Sequence, residues 1–358
     1  MNVDVVVVGA GPAGCAAAAR LTHDGASVLL VHRAAVNLRR SESLPGAAAR
    51  VLAAAGLTPL DGLTAGRCGG TLSAWGNGHL AASDALGSPD GAGWFIDRQE
   101  FDVALRQRCT AIGVALSTDR VIALRRNQTR WLARFAHGPD VAARWVIDAT
   151  GRASAVARRV GAKRRNDAPL VAVHAVRELE AHHLLPTRIF VESEPDGWWY
   201  VGASAQRRIG AACVLRPADA QSLRGRVEFA ARLGGRQHLQ GWAGEPKAWS
   251  TPQVSPAGGA WLDRVCGAGW IACGDAAVAF DPLSSQGLLG ALAGGVVAAQ
   301  AICAHNTGNA LADITARHRE VRAIYEARRS AAYAREQRWA SRPFWLSQHG
   351  ADEMTRSA

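Results

Sequence analysis

The sequence predicts an α/β fold in which a parallel-sheet domain carries an inserted antiparallel β-sheet domain. Three observations predict it. The chain begins with a strand, a glycine-rich turn and a helix. Evenly spaced β-segments follow much later, from about Leu170 to Ser250. The chain then returns to an apolar strand that ends in Gly274-Asp275. A length of 358 residues is enough for two domains that share one cleft.

The first element, Val3 to Arg20, organises the prediction. A β-branched strand runs into Gly9, Gly11 and Gly14, and an alanine-rich helix follows. These positions match a Rossmann-like dinucleotide fold. In such a fold Gly9 would make the turn, Gly11 would let a pyrophosphate approach the backbone, and Gly14 would allow the helix to pack closely on the strand. Phosphates would bind at the helix N-terminus. An ordinary glycine-rich turn is the alternative.

Composition limits the possible partners. The formal net charge is +11, and apart from Lys163 and Lys247 the basic residues are arginines. An arginine-biased proteome explains this, and a basic face for an acidic partner or for cofactor phosphates is the alternative. The arginines are scattered without a recognition motif, so nucleic-acid binding is not expected. The apolar run from Leu288 to Cys303 contains glycines and Gln300, which favours a buried helix over a membrane span.

Cysteines indicate the compartment. The seven cysteines are odd in number and include no C-x-x-C pair. This pattern predicts reduced thiols in a cytoplasmic protein, with neither a disulfide framework nor a metal site. No signal peptide is expected, because Val3 to Val8 already belongs to a fold strand.

The second strand, Ser27 to His32, ends where dinucleotide folds usually carry an acidic residue that binds ribose. His32 and Arg33 stand there instead and are expected at the adenosine end. Next, Arg39 to Pro45 combines basic and hydroxyl side chains before a helix. Such a segment suits a pyrophosphate or ribityl chain, or else forms a solvated loop with a serine N-cap.

The middle of the chain contains a stretch expected to cover the site and a second glycine-containing turn. Gly66 to Gly93 is glycine-rich, and we expect it to be irregular and to lie over a site. A helix is predicted over Gln99 to Ile112, and short strands follow. The last of these ends in Asp148-Ala149-Thr150-Gly151, where backbone would again approach the cofactor.

The inserted domain contains Trp198-Trp199-Tyr200, its densest aromatic patch. This patch is either packed sheet core or an aromatic face opposite a cofactor. After it, Asp275 at a strand end suits a polyol such as ribitol. The glycine-led helix start near Gly287 suits an anionic flavin ring. The last helices, Asp313 to Ser341, are expected to form a surface support, and Pro343 to Trp345 a clasp onto the body.

The predicted boundaries divide the chain into six parts. The cofactor domain is formed by three of them, residues 1–75, 96–165 and 261–312. The others are the loop-rich cover at 76–95, the substrate sheet at 166–260 and the C-terminal helices at 313–358.

The three glycine-containing turns together resemble the FAD-dependent monooxygenase superfamily of p-hydroxybenzoate hydroxylase, the tryptophan halogenases and the geranylgeranyl reductases. The third turn continues into Asp281-Pro282-Leu283-Ser284-Ser285-Gln286-Gly287. One branch of it is similar in four further segments, which are Arg40 to Pro45, Asp97-Arg98, Gly197 to Tyr200, and Arg338-Trp339 with Pro343-Phe344-Trp345. That branch matures quinone-cofactor enzymes such as glycine oxidase and lysine ε-oxidase.

The resemblance implies roles for individual residues. It implies that the adenosine lies at His32 and Arg33, and the ribityl chain at Asp275. The other cofactor-binding residues that it implies are Gly9, Gly11, Pro12, Ala13, Gly14, Arg40, Ser41, Arg98, Gly151, Gln286, Gly287 and Leu288. The resemblance also implies that Pro282 lines the reactive face of the flavin. Independently of it, Glu42 and Tyr200 are candidates for steering proton transfer, and Trp199 is a further candidate catalytic residue.

The resemblance implies an FAD-dependent monooxygenase that hydroxylates an aromatic ring through a flavin C4a-hydroperoxide. Its substrate would be a tryptophan of a partner protein, on the way to a tryptophylquinone. Molecular oxygen is the co-substrate, and NAD(P)H or a separate reductase donates electrons.

Four alternatives stay open at this point. The chain could hydroxylate a small aromatic metabolite, halogenate, reduce prenyl double bonds, or serve as a non-catalytic flavoprotein maturation factor. Halogenases of the superfamily use an N-terminal lysine and a W-x-W-x-I-P motif. This chain has no lysine before Lys163, and Trp198 to Gly202 does not match the motif.

Overall fold

The computed structural model describes residues 1–34, 40–58, 63–304 and 309–349. Arg39 of the predicted phosphate loop and residues 350–358 of the predicted C-terminal part lie outside this range. The helices are α1 Pro12–His23, α2 Ala48–Ala54, α3 Arg98–Ala111, α4 Ala155–Arg159, α5 Arg226–Gly234, α6 Gly287–Cys303, α7 Ala310–Ala334 and α8 Pro343–His349. The strands, in chain order, are β1 Asn2–Val8, β2 Val28–His32, β3 Ser41–Leu44, β4 Gly66–Cys68, β5 Gly70–Ala74, β6 Ala81–Asp84, β7 Gly93–Asp97, β8 Ala115–Thr118, β9 Val121–Arg126, β10 Trp131–Phe135, β11 Val141–Asp148, β12 Arg164–Asn166, β13 Val171–Glu178, β14 Ile189–Glu194, β15 Gly197–Ser204, β16 Arg208–Leu215, β17 Gln253–Pro256, β18 Ala260–Leu262, β19 Cys266–Gly267, β20 Trp270–Ala272 and β21 Val278–Ala279.

The N-terminal sheet has β1 at its centre. Strands β20, β11, β1, β2 and β8 lie side by side and are parallel, while β10, β9 and β19 extend the sheet antiparallel. The valines of β1 are buried on both faces, as expected for a central parallel strand. Val8, Asp148 and Ala272 are in register across three neighbouring strands. The turns that follow these strands therefore meet at one edge of the sheet.

The second large sheet has seven strands in the order β17-β13-β16-β15-β14-β5-β6. Its neighbours are antiparallel except for the parallel pair β14 and β5. One face packs on α5 through Phe229. The predicted α/β fold with an antiparallel β-sheet domain is confirmed.

The stretch from Gly66 to Gly93 is more regular than the sequence predicts. It contains β4, which pairs with β7, and the hairpin of β5 and β6, which forms one edge of the seven-stranded sheet. This corrects the expectation of an irregular cover. Its glycines allow close backbone approach. A Cβ on Gly70, for example, would lie 2.1 Å from the Ser83 carbonyl oxygen.

Helix α6 contains the predicted apolar run and packs against α1. A Cβ on Gly295 would lie 2.2 Å from the Ala13 carbonyl oxygen, so a glycine is needed for this contact. No helix in the described ranges combines the length and the apolarity that crossing a bilayer requires.

The C-terminal helices are fixed to the body by buried aromatic residues. Phe344 and Trp345 of α8 are fully buried, and Trp345 Nε1 donates a hydrogen bond to the Glu194 carbonyl oxygen at 3.0 Å. Residues 343–345 therefore pack back on the second sheet, as a clasp would. Helix α7 contributes Tyr333, whose hydroxyl donates to Asp281 Oδ2 at 2.8 Å.

Candidate active site

The three glycine-containing turns meet at one cavity of about 520 Å³. This volume lies in the range of ligand pockets. The first turn contributes Gly11 to Ala13, the second Gly151, and the third Asp275. The start of α6 completes this side with Gly287 and Leu288. The sequence-predicted turns are thus close together in space.

Gly9 and Gly14 lie behind the cavity and hold the first two turns together. Gly9 has φ +109°, and a Cβ there would lie 2.1 Å from the Ala149 carbonyl oxygen. A Cβ on Gly14 would lie 1.8 Å from the Gly9 carbonyl oxygen. Gly11 differs, because a Cβ there would meet only the tip of Arg98 at 3.9 Å. Gly11 therefore leaves space on the cavity side, as an approaching pyrophosphate requires.

Two helix N-termini at the cavity carry no side-chain cap. Helix α1 begins after Gly11 in extended conformation, and α6 begins after Gln286. Their free N–H groups and positive dipole ends favour anions. The pyrophosphate of FAD fits the first N-terminus, and the anionic pyrimidine edge of a reduced flavin fits the second. The residues present therefore fit FAD.

Charged side chains line the space between these helix ends. Arg98 contacts Glu42 at 3.3 Å and Asp102 at 3.0 Å, and Arg40 contacts Glu42 at 3.5 Å. Burial raises the pKa of Glu42, but Arg98 and Arg40 outweigh it and hold this pKa below its ordinary value. Glu42 is therefore a carboxylate and cannot donate a proton.

Asp275 is partly exposed to the cavity, with Oδ2 3.7 Å from Arg152 Nε. Burial raises the pKa of Asp275 above its ordinary value, against the opposing charges of Arg152 and Arg98. A polar ligand that donates hydrogen bonds to this carboxylate would favour its charged form. The ribityl hydroxyls of FAD are such donors.

The opposite wall is the face of the seven-stranded sheet that lies away from α5. Trp198 and Tyr200 of β15 line the cavity together with His174 of β13 and Ser255 of β17. Tyr200 Oη lies next to Ser41 but makes no hydrogen bond of normal geometry to a described residue. Burial raises the pKa of Tyr200, so its hydroxyl stays protonated and can serve as a hydrogen-bond donor.

His174 is a cavity residue that the sequence analysis missed. It is 5% exposed, and Nε2 lies 3.1 Å from Ser255 Oγ. Burial and the charge of Arg40 lower its pKa to about 4, although Glu42 opposes this shift. The imidazole is therefore neutral near pH 7. A polar residue within an apolar β-segment, Val171 to Val176, was the available signal.

The lowered pKa of His174 predicts a pH effect on stability. An unfolded histidine binds a proton near pH 6.5, whereas the folded one resists protonation until about pH 4. The free energy of unfolding should therefore fall as the pH drops through this window, by up to about 3 kcal/mol relative to neutral pH. Urea titrations of wild type and His174→Gln at several pH values measure the difference. Equal pH dependence in both proteins would contradict the shift.

The structure does not bring every predicted site residue to the cavity. His32 uses both ring nitrogens within the protein, with Nδ1 2.9 Å from the Arg33 carbonyl oxygen and Nε2 3.0 Å from Thr118 Oγ1. Neither His32 nor Arg33 lines the cavity, and Gln286 lies beside it as the residue before α6. Their contacts with a cofactor stay predictions.

Trp199 is a core residue, which corrects the expectation that it lies at the site. Successive side chains of a strand point to opposite faces, so Trp199 turns away from the face that Trp198 and Tyr200 share. It is fully buried and packs edge-to-face on Phe229 at 5.1 Å between ring centroids. The predicted residues that do line the cavity are Gly11, Pro12, Ala13, Arg40, Ser41, Glu42, Arg98, Gly151, Tyr200, Asp275, Pro282, Gly287 and Leu288.

Known proteins share this architecture. Among solved structures, the flavin-dependent halogenase CmlS superposes with a TM-score of 0.84 at 20% identity, covering 100% of this chain and 70% of its own. The peptidyl tryptophan dihydroxylase QhpG, described as essential for tryptophylquinone cofactor biogenesis, gives 0.78 at 23% identity, covering 97% and 79%. At these identities the likeness shows the fold, which is that of p-hydroxybenzoate hydroxylase-like flavoproteins.

Sequence comparison shows the family. The putative FAD-dependent oxidoreductase LodB of Marinomonas mediterranea is 26% identical over 97% of both chains. Menaquinone reductase of Mycobacterium tuberculosis is 28% identical over 84% of this chain and 76% of its own. A family model described as FAD binding domain matches residues 2–241, which is more than half of the sequence. The chain therefore belongs to the FAD binding domain family and is an FAD-dependent oxidoreductase.

Proposed function

We propose that this protein hydroxylates the indole ring of a tryptophan in a partner protein. The observation that carries the proposal is the single cavity that joins the FAD-side turns to an aromatic sheet face. Such a cavity can hold a flavin and a planar ring together. Support for the substrate class comes from the fold shared with the tryptophan dihydroxylase QhpG, and the whole-length similarity to LodB supports a flavin-dependent oxidation.

The protein residues would position the reactants and exclude water. Arg98 and Arg40 both pair with Glu42 at the cavity and suit the phosphate and ribityl region. Tyr200 offers apolar ring surface to an aromatic substrate, and Trp198 packs against Trp75 and Tyr333 at the cavity wall. FAD, when bound and reduced, supplies the oxygen-activating chemistry. A dry cavity then protects that chemistry from water.

Glu42, Tyr200 and His174 would orient groups by charge and hydrogen bonds rather than transfer protons. Two arginines hold Glu42 as a carboxylate, so its role would be to fix the positions of Arg40 and Arg98. Tyr200 keeps its hydroxyl proton and can donate a hydrogen bond. His174 is neutral and can accept a hydrogen bond from a ligand, but its pKa of about 4 makes it a poor base near pH 7.

The experiment is oxygen incorporation into a protein substrate. FAD-loaded enzyme is reduced with NAD(P)H, with a flavin reductase, or with dithionite, and is then mixed with a tryptophan-containing partner under isotopically labelled oxygen. We expect peptide mass spectrometry to find one or two labelled oxygen atoms on a tryptophan. A partner with that tryptophan changed to phenylalanine is the control. Peroxide formation without labelled product from any aromatic would contradict the proposal.

The same assay separates the rival functions. Labelled product from free aromatic compounds alone would indicate a small-molecule hydroxylase. The similarity to menaquinone reductase makes alkene reduction a second candidate, and it would proceed without oxygen. A stable complex with the partner and no oxygen uptake would indicate a maturation factor. Product that depends on chloride or bromide would indicate a halogenase. The cytoplasmic location and the natural electron donor stay predictions.

A further inference from the structure

The cavity face of the seven-stranded sheet has an ordered pattern of side chains. Strand β16 lies between β13 and β15. Ala212 of β16 is paired with His174 on one side and with Tyr200 on the other. Directly paired residues point to the same face, so all three side chains face the cavity. Two residues along, the next row has Trp198 on β15.

In the row of Ala212, the centre of the face is lower than its two sides, whereas the next row has Val214 at its centre and Ala172 on β13. Ala212 contributes only a methyl group between the two larger side chains of its row. Backbones of β13 and β15 lie two strand spacings apart, which is roughly 10 Å. One end is closed by Ser41, because a Cβ on Gly210 would lie 2.4 Å from the Ser41 Cβ. We call this depression the trough, with Ala212 as its floor.

The two sides of the trough differ in chemistry. The β15 side presents Tyr200, which suits the face or edge of an apolar ring. Trp198 of the next row is 2% exposed and donates from Nε1 to Tyr333 Oη at 3.2 Å, so little of its ring is free to contact a ligand. The β13 side presents His174, fixed by Ser255 at 3.1 Å. When Nε2 donates its proton to Ser255 Oγ, the neutral imidazole carries a free lone pair on Nδ1. That nitrogen can accept a hydrogen bond from a ligand.

We propose that the trough selects one bicyclic aromatic ring with a ring N–H, which is the chemistry of an indole. The ring lies over Ala212 and against the aromatic side, and its N–H donates to His174 Nδ1. Accepting this bond would fix the orientation of the ring over Ala212. The inference rests on the proposed function and names the residues that would determine its specificity.

Ligand binding without turnover tests the trough. FAD-loaded wild type is titrated by calorimetry with 3-methylindole and with 3-methylbenzothiophene, which has the same shape but no N–H. We expect 3-methylindole to bind about tenfold more tightly, the effect of one buried hydrogen bond. His174→Leu should remove this preference, whereas His174→Gln should retain part of it, because an amide oxygen also accepts. If His174→Leu kept the full preference for 3-methylindole over 3-methylbenzothiophene, the role of His174 would be overturned.

A larger side chain at Ala212 tests whether the ring lies over this residue. Ala212→Val should weaken both ligands at least tenfold, while the bound flavin spectrum and the thermal midpoint show that the cofactor domain is intact. Ala82→Val, at an exposed alanine of β6 in the same sheet, is the matched control and should leave both affinities unchanged. Unchanged binding in Ala212→Val, or binding of neither ligand by wild type, would overturn the inference. Oxygen incorporation judges the proposed function separately.

Discussion

Replacing Gly14 with alanine is expected to abolish FAD binding and to destabilise the fold by about 3 kcal/mol or more. The new Cβ would lie 1.8 Å from the Gly9 carbonyl oxygen, and this neighbour is backbone that cannot rotate away. The first turn would have to move, and it carries both the N-terminus of α1 and the contact with Ala149. Chemical denaturation and a flavin titration measure the two losses.

Two other glycines make this prediction specific. A Cβ on Gly241 would meet no atom within 4 Å, so Gly241→Ala should change neither stability nor flavin affinity. Gly11→Ala also has room, but the added methyl group would point to where the pyrophosphate is expected. It should leave the unfolding midpoint nearly unchanged and weaken FAD binding. Native-like stability and flavin affinity in Gly14→Ala would contradict the packing described for the turns.

Replacing Arg329 with methionine is expected to destabilise the protein by about 3–5 kcal/mol. Arg329 is 9% exposed, and Nε lies 3.6 Å from Asp281 Oδ2 and 3.9 Å from Asp167 Oδ2. Its loss leaves the buried Asp281 carboxylate without a cation. Asp281 begins the segment that contains Pro282 at the cavity, and Tyr333 joins it to α7. The change should therefore loosen the C-terminal helices from the site.

Denaturation at several pH values tests this assignment. Burial already raises the pKa of Asp281 above its ordinary value, against the charge of Arg329. Without Arg329 the pKa of Asp281 should rise further. The loss of unfolding free energy in the variant should therefore grow as the pH rises, and it should become smaller as the pH falls to about 4, the ordinary pKa of an aspartate. Arg328→Met, at an exposed arginine of the same helix, is the control and should have little effect. A loss of unfolding free energy in Arg329→Met that does not vary with pH would contradict the role of Asp281.

Much of the cofactor side could be predicted from sequence because its signals are local. Each turn follows an apolar strand directly, and the carboxyl ends of parallel strands meet at one edge of a sheet. The glycines of the first turn also occur at fixed spacing. These patterns were sufficient to place Gly11, Gly151 and Asp275 around one cavity.

The substrate side could not be predicted in the same way, because it depends on pairing between distant segments. Alternation along β15 alone separates Trp199 from Trp198 and Tyr200, and it could have been applied to the sequence. Nothing local, however, shows that His174 and Tyr200 are both paired with Ala212. That register follows only from the arrangement of β13, β16 and β15 in the folded sheet.

The central claim is that one cavity holds FAD beside an aromatic ligand. The most direct measurement is the visible absorption spectrum of the purified protein with FAD, recorded before and after addition of 3-methylindole. We predict one bound flavin per chain and a change in its absorption bands when the ligand enters. A protein that stays colourless in excess FAD, or a bound flavin whose spectrum does not respond, would contradict the claim.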